Sequence, residues 1–196
     1  MTTHSMEARH WPQVRAIYEA GMATGHATFA TQVARGQGWN KAHLPHSRLV
    51  AQQASGRLLG WAALAPAPNG GYLSGVAEIQ IYVGPAAQGQ GVGRALLAAL
   101  VAASEAHGIW TLQATVFPEN PTMLHLCQQA GFRLVGRHAR IGQLHGLWRD
   151  TLVLERRSTV VGTADTSLLP VSRPLPAAPP HSARNTMGSV TLTHTG

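Results

Sequence analysis

The sequence predicts an α/β domain, and three observations carry that reading. Strand-like and helix-like segments alternate over residues 1–157, a glycine-rich turn joins a strand to a long helix near mid-chain, and the composition changes near Ser158. Of the 196 residues, 44% are hydrophobic, enough for a packed core and against global disorder. From Ser158 onward there is no aromatic residue, and Pro170, Pro174, Pro176, Pro179 and Pro180 recur among Ser, Thr and Ala. Such a segment buries too little apolar surface to offset its ordering entropy. The expected organisation is a folded domain over 1–157 and a mostly disordered tail over 158–196.

The elements follow in chain order. Thr2–Ser5 reads as a short first strand. Trp11, Val14, Ile17 and Tyr18 fall at helical spacing, Pro12 suits a first helical turn, and Gly21 and Gly25 are expected to end that helix. Residues 48–53 and 58–64 read as strands joined by a Ser55-Gly56 turn, and 66–71 as a turn-rich loop. Val76–Val83 alternates, with Ile79, Ile81 and Val83 on one side and Glu78, Gln80 and Tyr82 on the other. Residues 93–107 form an Ala/Leu-rich helix, 111–117 a strand, and 121–130 a helix closed by Gly131. Residues 132–135 and 148–154 read as late strands. No internal repeat is present.

Composition excludes several classes. The lone cysteine, Cys127, cannot staple a fold or build a Cys-rich metal site, and a reducing, cytoplasmic location fits it best. No apolar stretch approaches a membrane span, and residues 1–9 hold no signal-length apolar run. The formal charge of +7 reads either as a sign of an anionic partner, a nucleic acid or a phosphate-bearing cofactor, or as an arginine-biased composition with few acids. Lys41 is the sole lysine, the arginines are scattered, and only Arg156 and Arg157 are adjacent, so no basic block of nucleic-acid type exists. The tryptophans at 11, 39, 61, 110 and 148 are spread through different elements and read as core rather than stacking platforms. His43 and His46 lack a nearby third ligand, so no metal is expected.

The chemistry concentrates in Val83-Gly84-Pro85-Ala86-Ala87-Gln88-Gly89-Gln90-Gly91-Val92-Gly93-Arg94. Glycines at 89, 91 and 93 let the backbone turn tightly and bring N–H groups close to a ligand. Those donors sit at a helix N-terminus, where partial positive charge favours phosphate. A dinucleotide-binding turn would want an acid about 20 residues on. None lies between Glu105 and Glu119, and the Gly-Lys-Ser/Thr of a P-loop is absent.

Gln88-x-x-Gly91-x-Gly93 resembles the acetyl-CoA pyrophosphate loop of the GNAT superfamily of N-acetyltransferases. Further runs look like its phosphinothricin acetyltransferase branch, with arsinothricin- and methionine-sulfoximine-acetylating relatives. They are Glu78-Ile-Gln-Ile-Tyr-Val83, Phe117-Pro-Glu-Asn120, Gly131-Phe132-Arg133-Leu-Val-Gly136, Ile141-Gly142 and Gly146-Leu-Trp-Arg-Asp150. The early runs Ile17-Tyr18-Glu19-Ala20-Gly21 and Ala27-Thr28-Phe29 look like it too, so the resemblance spans about residues 3–158. It implies a central mixed, mostly antiparallel sheet with helices on both faces. It also implies acetyl-CoA as co-substrate, a small-molecule amine as acceptor, a resistance or detoxification role, and a homodimer with the hairpin at 142–150 near the partner. Neither nucleic acid nor membrane is an implied partner.

The resemblance assigns cofactor contacts to Ile81, Tyr82, Val83, Gln88, Gly89, Gln90, Gly91, Val92, Gly93, Arg94 and Asn120. Acetyl transfer to an amine needs a base for the ammonium, donors for the oxyanion and an acid for the departing thiolate. The resembled branch places its catalytic glutamate at Glu78, and the Val83 N–H at the oxyanion. Seven residues past Asn120, where that branch carries a histidine, this chain has Cys127. His125 comes two residues earlier, about 200° around the helix. Both are candidate acids. Thr28, Phe29, Trp39, Tyr72 and His145 resemble pocket positions. The arginine that relatives carry before the catalytic strand is missing from 69–75, leaving Arg48, Arg140 or His145 to supply a charge. Competing readings are a GNAT enzyme for a polyamine or a protein N-terminus, a non-catalytic acyl-CoA sensor, and a basic nucleic-acid module.

Overall fold

The computed structural model describes residues 1–162 except 35 and 68–70, with the backbone but not the side chain of Tyr72. Met1–Ala164 makes one compact unit. Its centre is a seven-stranded sheet of β1 (Thr2–Ser5), β2 (Arg48–Gln52), β3 (Leu58–Pro66), β4 (Val76–Val83), β5 (Thr111–Val116), β6 (Arg133–Leu144) and β7 (Leu147–Arg157). The spatial order is β1-β2-β3-β4-β5-β7-β6. Every neighbouring pair is antiparallel except β4 and β5.

Four helices cover the sheet: α1 (Trp11–Ala23), α2 (Gly36–Ala42), α3 (Val92–Ala106) and α4 (Pro121–Gln129). On one face Val14, Ile17 and Trp39 pack on Val50, Trp61 and Tyr82. On the other, Leu96, Leu97 and Leu100 of α3 pack on Leu49, Ala62, Leu64 and Ile79. β3 is buried on both sides, which is why its sequence is an apolar run rather than an alternation.

The parallel pair is the feature that makes a site. β4 and β5 are in register only at Val76↔Thr111, Ala77↔Leu112 and Glu78↔Gln113. Beyond that, β4 continues to Val83 paired with β3 alone, and β5 continues to Val116 paired with β7 alone. The strands therefore part at Glu78, leaving a V-shaped gap in mid-sheet.

Three sequence expectations change. Helix α1 does not stop at Gly21 but runs to Ala23. Gly21 is there for proximity: a Cβ would stand 2.6 Å from the Tyr82 ring. The late strands are not short: β6 and β7 form one long hairpin turned at His145 and Gly146, both at positive φ. Most of β6 is exposed and bulged, so no period-2 pattern betrays it. The folded part also passes residue 157. The Ser158 N–H donates to the Trp110 carbonyl at 2.7 Å, its hydroxyl to Glu105 at 2.9 Å, and Gly162 lies against the Trp110 ring. The rest of the expected tail, 163–196, lies outside the described residues.

Candidate functional site

The gap has a backbone-built side and a side-chain-built side. Along a strand, successive peptide groups point alternately to its two neighbours. The Gly84 N–H donates to the β3 residue Leu59 at 2.8 Å, while the Gly75 carbonyl accepts from Trp110 on the β5 side at 2.9 Å. Even-numbered peptides of β4 thus face β3, and odd-numbered ones face β5. Past Glu78 there is no paired β5, so the N–H groups of Ile81 and Val83 point into the gap. Tyr82 departs from its expected cofactor role: its peptide faces β3, and its ring is buried on the α1 face.

The turn from β4 to α3 ends in an uncapped helix start. Gly89 and Gly91 have φ of 72° and 77°, the left-handed region that suits glycine. A Cβ at either would meet nothing within 4 Å, so the turn is open above. No side chain caps α3, and its first intrahelical bond is Ala95 N–H to Gly91 at 3.1 Å. The N–H groups of Val92, Gly93 and Arg94 are therefore free of helical acceptors. Val92 contributes only backbone here, because its side chain is core. Arg94 places a cation where the helix dipole is unfavourable to one, unless an anion lies between. Gly93 brings α3 close to Val83 and to Leu126 of α4. The Gln90 side chain braces the turn by donating to the Ala86 carbonyl at 2.9 Å, and Gln88 is exposed. From this turn a groove of about 300 Å³ runs between α3 and α4, lined by Arg94, Leu97, Val101 and Leu126. These donors fit a diphosphate.

The opposite side is made of side chains. Glu78 and Tyr82 share a face of β4, four residues apart. Burial pushes the Tyr82 phenol far above its ordinary range, with the neighbouring Tyr18 and the Glu78 carboxylate adding to the rise, so it stays neutral. Tyr82 stacks on Trp61 and meets Tyr18 edge-on, and the Thr28 hydroxyl lies beside its phenol. Thr28 belongs to the loop from α1 to α2, which roofs the gap. Beyond Thr28 the loop reaches the end of β5, where Phe29 packs edge-on against Phe117 with ring centres 4.7 Å apart and touches Gly142. Asn120, the N-cap of α4, accepts from Met123 N–H at 3.0 Å and donates to the His26 carbonyl at 3.3 Å. Arg149 of β7 donates to the Gly25 carbonyl at 3.2 Å, lies over the Phe117 ring at 4.6 Å, and pairs with Glu119 at 3.1 Å.

Several expected site residues fall elsewhere. Cys127 is 0% exposed, and burial pushes its thiol up to about 12, well above the ordinary thiol value of 9.0. A donor so buried and so weak does not suit the proposed acid role. His125 is exposed on the far side of α4 from Cys127, turned away from the core. Trp39 is 2% exposed, stacks on His43 and meets Trp61 edge-on, a core position rather than a pocket wall. His145 is exposed at the hairpin tip, and the side chain of Tyr72 lies outside the described residues. Arg48 is committed to the carbonyls of Asn40 and His43, and Arg140 bonds Asp150 through its backbone N–H. His43 bonds Trp39 and Gln80, whereas His46 stacks on His107, so the two do not converge. Sequence reasoning missed Arg149 and Gly21, whose partners are remote in sequence and become visible only in the folded chain.

Comparison with known proteins agrees with this geometry. The profile described as the Acetyltransferase (GNAT) family matches residues 11–132. A phosphinothricin N-acetyltransferase from Alcaligenes faecalis is 37% identical over 155 residues, covering 74% of this chain and 76% of that protein. An L-methionine sulfoximine/L-methionine sulfone acetyltransferase from Pseudomonas aeruginosa is 29% identical over 150 residues, covering 74% of this chain and 87% of that protein. Among solved structures, a GNAT superfamily phosphinothricin acetyltransferase from Sinorhizobium meliloti in complex with AcCoA superposes with a TM-score of 0.75. It is 25% identical, covering 87% of this chain and 96% of that one. The mixed, mostly antiparallel sheet with helices on both faces is the one expected, and with more than half its length matched the chain belongs to the GNAT family of N-acetyltransferases.

Proposed function

We propose that the chain transfers an acetyl group from acetyl-CoA to the amine of a small amino-acid-like acceptor of the phosphinothricin, arsinothricin or methionine sulfoximine type. The observation that carries this reading is the parting of β4 and β5 at Glu78, with open N–H donors on one side and the carboxylate on the other. The free N–H groups of Val92, Gly93 and Arg94, with Arg94 and Gln88, would hold the diphosphate, and Asn120 would face the arm from α4. Bound acetyl-CoA supplies an acetyl group already activated as a thioester. Glu78 takes the ammonium proton, directly or through a water, so that the amine lone pair is free to attack. The Val83 N–H stabilises negative charge as it grows on the carbonyl oxygen. With Cys127 buried and His125 turned outward, the departing sulfur takes its proton from solvent or from the acceptor nitrogen. A thiol of ordinary pKa near 8.5 needs little help to leave at neutral pH.

The acceptor class is supported by the relatives' names, and Thr28 beside the Tyr82 phenol and Phe29 against Phe117 are the side chains nearest to hand for it. The proposal extends to a role in resistance or detoxification, carried out in the cytoplasm. Assembly as a homodimer is supported by the edge strand β6 and the exposed Leu134, Val135, Ile141, Leu147 and Trp148 of its hairpin. Light scattering giving a monomer at micromolar concentration would remove it. The function is tested by acetyl-CoA-dependent thiol release with phosphinothricin, methionine sulfoximine, methionine sulfone, arsinothricin and spermidine. The expected result is turnover of at least one amino-acid-like acceptor and none of spermidine. Cofactor binding with no turnover across the panel would favour an acyl-CoA sensor instead.

A further inference from the structure

We infer that Arg149 is the anchor for the acceptor's α-carboxylate, with Glu119 as its placeholder when no acceptor is bound. The inference rests on the amino-acid reading above. An α-amino acid brings a carboxylate next to its amine, and that amine must reach Glu78. Two carboxylates would then share one small space, and the second needs a cation of its own. The loop before β4 supplies no arginine. Arg48 is held by the carbonyls of Asn40 and His43, and Arg137 is paired with Asp150.

Arg149 differs in where it stands. Its guanidinium lies over Phe117 at the end of β5, and one of its amino groups donates to Gly25 in the roof loop. Phe117 packs on Phe29, and Phe29 follows Thr28, whose hydroxyl lies beside the Tyr82 phenol on the Glu78 face. The cation is thus built into the wall that the acceptor must pass. Its side chain is 17% exposed, so it is mostly desolvated and already oriented. Its acidic partner is not: the Glu119 side chain is 51% exposed and touches the guanidinium through one oxygen at 3.1 Å. A half-exposed pair of this kind is weak and exchangeable. An incoming carboxylate can take both forks of the guanidinium, which a single glutamate oxygen does not. Glu119 then swings into solvent while Arg149 stays fixed by Gly25 and Phe117.

The test compares L-methionine sulfone with its carboxamide, which has the same side chain and amine but no anion. In Arg149→Met the KM for the acid is expected to rise at least tenfold and that for the carboxamide no more than about threefold, so the ratio of the two is the readout. In Glu119→Gln the KM for the acid is expected to fall two- to threefold, because the placeholder is gone. Equal losses for acid and carboxamide in Arg149→Met would show a roof clamp with no carboxylate contact and overturn the anchor. A raised KM for the acid in Glu119→Gln, a variant that leaves Arg149 in place, would overturn it as well, even if Arg149→Met did not fold. Wild-type turnover of neither acceptor would instead remove the amino-acid reading, and the anchor with it.

Discussion

The two sides of the β4–β5 gap are built from different parts of the chain's chemistry. On the α3 side the donors are backbone N–H groups from one continuous stretch, 81–94, and the side chains that matter are mainly absent ones, at Gly89, Gly91 and Gly93. On the α1 side the groups are side chains from five separate segments: Glu78 and Tyr82, Tyr18, the roof loop with Thr28 and Phe29, Phe117, and Arg149. A backbone site suits a ligand part that never varies, such as a diphosphate. A side-chain site can be altered one residue at a time, which suits an acceptor that differs among relatives.

The comparison can be broken at its apex first. Glu78→Gln should lower kcat at least ~100-fold, the scale of a lost general base, while coenzyme A binds as before by calorimetry. Wild-type kcat in that variant at neutral pH would mean that some other group takes the proton. On the backbone side, Gly91→Val puts a β-branched residue at a φ of 77°, in a region that costs an L-residue about 1–2 kcal/mol. Coenzyme A affinity should fall about tenfold, with the KM ratio between two acceptors unchanged. An altered acceptor preference would show that the two sides are not separable.

The smallest effect is expected at Cys127. Cys127→Ala should cost about 1 kcal/mol by shrinking a buried side chain and leave kcat within twofold between pH 7 and 9. Its thiol is raised from 9.0 to about 12 by burial, so the fold is favoured while the thiol is neutral. That contribution is present in full below pH 9 and is lost as pH climbs toward 12. Urea titrations across this range should show a shallower alkaline decline for Cys127→Ala than for the wild type. A tenfold loss of kcat at pH 7 would restore the thiol to the mechanism.

The strand and helix around the glycine turn were legible because local rules govern them. Alternation placed Glu78 and Tyr82 on one face, and glycines in the left-handed region marked the turn. The hairpin β6–β7 was not, because an exposed, bulged edge strand lacks the half-buried alternation from which strands are read. Trp39 shows the same limit from the other direction. The family resemblance made it a pocket position while the spread of the tryptophans read as core, and the short helix α2 turns it inward onto Trp61 and His43.

The sequence by itself determined the anion cradle, since a run of glycines opening a helix presents free N–H groups whatever surrounds it. It also determined which residues of β4 share a face. Only the tertiary structure decided where β4 and β5 part, that Cys127 points into the core, and that Arg149 meets Gly25 and Glu119 over a ring from β5. Those outcomes depend on burial and on contacts between residues far apart in the chain, such as Arg149 and Gly25, 124 positions from each other. Local conformational preference says nothing about such contacts until the core has packed.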